Sequence, residues 1–245
     1  MYLIKQLGQR PKYSKEFLFR TTYYIIIYIW TVKTKEKILA TSLEMFNNNG
    51  VQEVSLREIA REINISVGNL NYHFPTTNDI IYALSLQLID ELNTGISKMM
   101  ESKPSNSMIS LHSMMKVAFT TQLNYRFIFN ARYAEVVTSI PEMQTYTQQT
   151  FAHHFGMGKQ MHEQLIKDGY LKKELSKDLD GFIYLINNLG IYWQQEIAIF
   201  QPKFSDNKKI EHALAIYFQC YTPYLTEKGR KALSPLLKEL KPYKI

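Results

Sequence analysis

Five neighbouring side chains have the types and spacing that recognition of DNA bases requires. Asn69 and Asn71 carry amides, Tyr72 carries a phenol and His73 an imidazole, and all follow Val67 on one short predicted helix. These residues are not needed for the apolar face of that helix. Amides, hydroxyls and ring nitrogens donate and accept hydrogen bonds, as the edges of base pairs in the major groove demand. The pattern predicts a DNA-reading helix, and a polar face that is merely solvated is the alternative that spacing leaves open.

The preceding residues predict the elements that would position this helix. Ser55 and Glu58 have the spacing of a capping box, which starts a second short helix. Ser66 is placed to cap the reading helix after a tight turn. Ala60 stands where the two short helices would cross, and a small side chain permits a close approach. With a bracing helix predicted over 34–49, these elements form a helix-turn-helix.

The stretch VSLREIAREINISVGNLNYHFPTTNDII resembles the N-terminal module of the TetR family of regulators. The matching residues are Ser55, Ile59, Ala60, Ile65, Ser66, Gly68, Leu70, His73 and Phe74. A second stretch, YRFIFNARYAEVVTSIPEMQTYTQQTF, is similar to the C-terminal domain of one TetR subgroup. The resemblance implies an all-α fold, with a three-helix DNA-binding module followed by a helical ligand-binding and dimerisation domain. It further implies a repressor that binds a near-palindromic operator as a homodimer and responds to a small-molecule inducer.

The pattern and the resemblance together give the expected DNA-binding residues. They are Ser55, Arg57, Ser66, Val67, Gly68, Asn69, Asn71, Tyr72, His73 and Thr77. Two of them depart from the family pattern. Asn71 stands where an aromatic residue is usual, and Thr77 replaces a lysine that grips a backbone phosphate in the family. Because phosphate neutralisation supplies most of the sequence-independent affinity, Thr77 predicts moderate rather than tight DNA binding.

Net charge does not support this interpretation by itself, although the chain carries a formal charge of +7. Residues 32–79, which include the predicted DNA reader, hold five basic and six acidic groups. The excess of positive charge lies in residues 1–31 and 226–245, each with a net charge of +4. Basicity at the two ends is no evidence for a DNA-binding surface.

The first residues contrast with the rest of the chain. Residues 23–30 form a strongly apolar, β-branched and aromatic run, too short to span a bilayer, which needs about 20 residues. We expect residues 1–31 to be an extension outside the fold, with Val32 a candidate first residue; a helical arm or a membrane-touching tail are the alternatives. The expected domains are then 32–79, the DNA-binding domain, and 80–245, the ligand-binding and dimerisation domain.

Helical periodicity continues after residue 79, with helices predicted over 76–100, 107–122, 124–138, 141–168, 178–200, 207–225 and 229–240. In the family, the last two long helices form the dimer interface. The expected interface residues are Phe182, Leu185, Leu189, Trp193, Phe218 and Tyr221. A dense group of aromatic residues predicts a pocket for an apolar ligand, with plain core as the alternative. Its candidates are Phe119, Tyr125, Phe129, Tyr133, Phe151 and Phe155.

Composition and motifs exclude several other classes. One cysteine, Cys220, rules out an internal disulfide and suits a reducing cytoplasm, where we expect the protein to be located. No nucleophile elbow, phosphate-binding loop or Gly-rich dinucleotide turn is present, so no enzyme is predicted. His154 and His162 are eight residues apart, too far for a shared ion, so neither a metal nor a cofactor is expected. Two alternatives stay open: a sensor or interaction protein with weakened DNA binding, and a membrane-associated protein led by residues 23–30.

Overall fold

A computed structural model of the chain describes residues 15–129 and 133–237, and side chains from residue 31 onward except those of residues 133, 136 and 237. The described residues form helices and turns, with one isolated antiparallel bridge between Leu171 and Leu225. The α-helices are α1 Lys15–Asn49, α2 Leu56–Glu62, α3 Val67–His73, α4 Thr77–Glu101, α5 Ser107–Asn124, α6 Tyr133–Ser139, α7 Pro141–Lys167, α8 Leu179–Phe200, α9 Asp206–Gln219 and α10 Glu227–Leu237. The all-α prediction is therefore confirmed for this part of the chain.

Two of the predicted helices were wrong: one begins earlier than expected, and the other does not form over its predicted range. α1 begins at Lys15 rather than near residue 34, so β-branched residues are accommodated in one continuous helix. No helix runs over 124–138, because residues 125–129 form tight turns and α6 begins only at Tyr133. Tyr125, Phe127, Ile128 and Phe129 are all buried. A helix exposes one side to solvent, and nearly consecutive apolar residues are buried more fully by a compact turn.

The buried apolar side chains form two clusters. The N-terminal cluster joins α1, α2 and α3 to the first half of α4 and to residues within 125–129 and 137–143. The C-terminal cluster fills the body between α5, α7, α8, α9 and α10. The three N-terminal helices therefore share their core with residues beyond the boundary expected at residue 79. α4 connects the clusters, since its buried residues Ile80 to Leu88 belong to the first cluster while it also packs along α5.

The assignment of residues 1–31 stays a prediction, because residues 1–14 and the side chains of 15–30 lie outside the described part. Thr34, Ile38, Ser42 and Phe46 are the buried anchors of α1. We expect deletion of residues 1–31 to leave a folded protein with an unchanged melting temperature, because these anchors stay in place. The control is a deletion of residues 1–39, which also removes the buried Ile38. Loss of Ile38 alone should lower the free energy of unfolding by about 3 kcal/mol. A melting temperature lowered by several degrees in the shorter deletion would place residues 23–30 within the fold.

Candidate nucleic-acid interface

Local hydrogen bonds fix α2 and the turn that follows it. Ser55 and Glu58 form the predicted capping box: the Ser55 backbone N–H donates to Glu58 Oε2 at 2.8 Å, and the Glu58 N–H donates to Ser55 Oγ at 3.3 Å. The Ser55 backbone N–H and the Ser55 hydroxyl, which also donates to Glu58 Oε2 at 2.8 Å, together hold the pKa of the Glu58 carboxyl below its ordinary value. Asn64 then adopts a φ of 58°, a left-handed conformation that Asn tolerates better than most residues. The turn thus redirects the chain toward α3.

The reading helix α3 is anchored on one side and exposed on the other. Its N-cap Ser66 accepts a hydrogen bond from the Asn69 backbone N–H at 3.1 Å, as predicted. Leu70 is fully buried and Ala60 of α2 is buried beneath it. Tyr72 is 80% exposed, the most exposed of the large apolar and aromatic side chains described. A rigidly held helix with a projecting phenol is suited to enter a major groove.

The other predicted DNA-facing residues all reach solvent in the structure. Ser55, Arg57, Ser66, Gly68 and Asn71 are exposed. Val67, Asn69, His73 and Thr77 are partly exposed. The ring of His73 is less exposed than that of Tyr72. It packs edge-on against Tyr72, with ring centroids 5.3 Å apart.

Lys35 of α1 is a candidate that the sequence did not single out. Its Nζ lies 5.7 Å from the centre of the Phe74 ring, directly after the reading helix. Burial lowers the pKa of His73, and the nearby charge of Lys35 lowers it further. Both effects favour the neutral form of His73, and Lys35 is the cation beside it. The signal was present in the basic stretch at 33–37, but only the fold places this residue next to α3.

Thr77 is the first residue of α4. The preceding Thr76 caps the helix, donating from its hydroxyl to Asp79 Oδ2 at 2.6 Å and accepting from the Asp79 N–H at 3.2 Å. Thr77 is partly exposed at a helix N-terminus, where unpaired backbone N–H groups favour phosphate. Its short hydroxyl has neither the charge nor the reach of a lysine.

Two family models match the chain and together span most of its helices. The model described as "Bacterial regulatory proteins, tetR family" covers residues 38–84, and that described as "Bacterial transcriptional repressor" covers residues 90–233. The chain belongs to the TetR family. The predicted family and fold are thereby confirmed, and the chain is a TetR-family transcriptional regulator with a DNA-binding helix-turn-helix.

Known proteins of similar sequence and structure agree with this membership. The probable HTH-type transcriptional regulator YttP of Bacillus subtilis (strain 168) is 24% identical over 199 residues, which are 79% of this chain and 86% of YttP. A TetR-family transcriptional regulator from Marinobacter aquaeolei VT8 has the same fold, with a TM-score of 0.75, 20% identity, and coverage of 85% of this chain and 99% of that one. A transcriptional regulator from Saccharomonospora viridis, solved in complex with choline, has a TM-score of 0.63 and 14% identity, over 80% of this chain and 100% of that one.

The predicted ligand residues do not form one pocket. Phe119 lies in the C-terminal cluster, with Phe155 packed against it. Tyr125 and Phe129 lie in the N-terminal cluster, and the Tyr125 hydroxyl donates to Glu91 Oε1 at 2.6 Å. Phe151 is exposed on α7, and the side chain of Tyr133 lies outside the described residues. Of the five whose side chains the structure describes, Phe129 alone lines the groove near the end of α1 that is considered below.

Four of the six predicted dimer residues are instead core residues of one chain. Phe182, Trp193, Phe218 and Tyr221 are all buried, so they have no surface to give to a second copy. Tyr221 is in addition hydrogen-bonded to His162 Nε2 at 2.7 Å. Because the other ring nitrogen of His162 contacts the Gly158 carbonyl at 2.6 Å, that nitrogen carries the proton and Tyr221 donates.

The other two predicted dimer residues remain available on α8. Leu185 is exposed and Leu189 is partly exposed.

No helix among the described residues has the length and apolar character needed to cross a membrane. Within those residues no group of three or more histidine, cysteine, aspartate or glutamate residues could hold a metal ion.

Proposed function

We propose that this TetR-family protein is a ligand-responsive repressor that binds a near-palindromic operator as a homodimer. The exposed reading helix carries the proposal: Tyr72 projects from α3 while Leu70 and Ser66 fix the helix beneath it. Tyr72, Asn69 and Asn71 offer a phenol and two amides to base edges. Two such helices in a dimer would enter adjacent major grooves about 34 Å apart.

An apolar stripe on α8 supports the homodimer. Leu185, Tyr192 and Ile199 are 56%, 52% and 70% exposed, and they follow one another at intervals of seven residues, which is two helical turns. They therefore lie on one face of α8. The opposite face carries Ile183, Ile186 and Ile197, which are buried in the C-terminal cluster. A stripe of large apolar side chains exposed to water marks an interaction site, and a second copy offers an identical stripe.

The proposed function is tested by binding to a labelled DNA fragment from immediately upstream of the gene for this protein. We expect the protein to protect a two-fold symmetric site on this fragment from nuclease cleavage. The proposal would be contradicted if the protein bound neither this fragment nor any other DNA more tightly than non-specific DNA.

A sensor with weakened DNA binding is the second candidate. It is favoured by Thr77 at the start of α4 and by the five basic and six acidic groups of residues 32–79.

Replacement of Thr77 by lysine should strengthen binding to every DNA sequence. A lysine at the first position of α4 would add one phosphate contact in each subunit, and each contact steepens the dependence of log affinity on log salt by about one unit. Thr77→Gln is the matched control, with similar length and no charge. Titrations at several salt concentrations measure the effect. An unchanged affinity, or a gain confined to the specific operator, would show that Thr77 does not face a phosphate.

A further inference from the structure

A groove of about 650 Å³ lies where the DNA-binding helices meet the body. The end of α1, the turns after α5 and the last part of α8 form its walls. Phe46, Phe127, Phe129 and Trp193 supply aromatic surface, and Ile197 and Leu123 supply aliphatic surface. Its volume is within the range of natural small-molecule sites, which are mostly apolar with a few polar groups.

The polar groups of this groove are amides and cations. Arg126 and Lys209 line it, and the described lining residues include no aspartate or glutamate. Lys209 is paired with Asp206 at 2.8 Å, whereas the described partners of Arg126 are a carbonyl and a side-chain amide. The side-chain nitrogen of Gln194 is buried and has no hydrogen-bond partner among the described residues. A buried donor without an acceptor is costly, so an acceptor on a ligand would be favourable there.

We propose that this groove binds an organic anion with an apolar body, whose carboxylate pairs with Arg126. The guanidinium offers planar, charge-assisted hydrogen bonds to a carboxylate. The aromatic walls would cover the apolar body, and Gln194 would donate to a second oxygen. This inference rests on the proposed function only for its regulatory consequence, since binding in the groove is measurable without DNA.

The same residues join α1 to the body. Asn47 at the end of α1 donates from its amide to the Asn124 carbonyl at 2.7 Å, and its amide oxygen accepts from the Phe127 N–H at 3.1 Å. Arg126 donates from Nε to the Asn47 carbonyl at 3.2 Å and from Nη2 to Asn48 Oδ1 at 3.0 Å. A carboxylate paired with Arg126 competes with these acceptors. Ligand binding would therefore loosen α1 from residues 124–127 and change the position of the reading helix.

Calorimetric titration with 2-naphthoate, and with the uncharged 2-naphthamide as its partner, tests the site. We expect the full-length protein to bind the carboxylate about tenfold more tightly than the amide, a difference of about 1.4 kcal/mol. Arg126→Gln should remove this preference, while Arg230→Gln, the same change at an exposed residue of α10 that does not line the groove, should not. Because Arg126→Gln also weakens the junction, a second variant is needed. Ala198→Trp fills the groove from an exposed position and should abolish binding of both compounds.

Each outcome supports or overturns the proposal. Equal affinity for the two compounds, no binding of naphthoate at millimolar concentration, or unchanged binding in Ala198→Trp would overturn it. If naphthoate binds through Arg126 but the protein binds no DNA, the ligand site stands and the proposed function fails. If DNA binds, naphthoate should lower that affinity in the wild type and not in Ala198→Trp; an equal response in both would overturn the coupling.

Discussion

Replacing Tyr72 by alanine should lower operator affinity by about two orders of magnitude while the fold stays intact. Each base contact contributes roughly 1–3 kcal/mol, and both subunits of the proposed dimer lose one. The fold should not respond, because the side chain is almost fully exposed and Leu70 and Ser66 anchor the reading helix without it. Gel shift at fixed salt measures the affinity, and a thermal melt checks the fold.

Two further variants make the Tyr72 result specific. Phe151→Ala removes an exposed aromatic side chain from α7, far along the chain from the reading helix, and should leave DNA binding unchanged. His73→Ala should also weaken binding, but by a smaller factor, because the ring is half-buried and offers less surface to DNA than the Tyr72 ring. Operator binding at wild-type strength in Tyr72→Ala would exclude α3 as the reading helix.

Replacing Leu185 by glutamate should convert the proposed dimer to a monomer and thereby abolish operator binding. In a two-fold symmetric contact each residue meets the same stripe on the second copy, so one substitution places two carboxylates in an apolar interface. We expect the dimer dissociation constant to rise at least about a hundredfold, as for the loss of a central interface residue. Sedimentation at several protein concentrations measures it.

The matched control for the dimer is Met157→Glu, the same kind of change at an exposed position on α7. It should leave both the dimer and DNA binding unchanged. Tyr192→Glu, two turns from Leu185 on α8, should reproduce the effect of Leu185→Glu. If both α8 variants remain dimeric, the two copies associate through another surface, and the exposed stripe of α8 is not the dimer interface.

The helix-turn-helix could be predicted closely because its signals are local. The Ser55 and Glu58 capping box and the Ser66 cap each depend on residues three positions apart, and the structure forms all these bonds. The side of α8 that faces the core could not be predicted as well. α8 has apolar residues on two sides, and helical spacing does not tell which side, that of Trp193 or that of Tyr192, faces the core.

The groove could not be predicted at all, for a related reason. Its walls come from residues near 46–50, 123–129 and 193–209, which only the packing of α1, α5, α8 and α9 brings together. The aromatic density from Phe119 to Phe155 suggested a pocket, but it supplied core to two different clusters. Because a helix was expected over 124–138, the turns that carry Arg126 and Phe127 were not predicted. Short-range periodicity contains no information on such long-range contacts.

The shared N-terminal core has a consequence for attempts to build hybrid regulators. Exchanging the reader at residue 79 would cut between Phe74 and its neighbours Ile80, Ile81 and Leu84, all in one buried cluster. A transplanted DNA-binding module would bring only its own part of the N-terminal cluster, and the rest of that cluster would be formed by residues of the recipient protein. Since buried side chains must fit closely, such a graft needs the first half of α4 and residues 125–143 to travel with it. The portable unit of this molecule is therefore discontinuous along the chain.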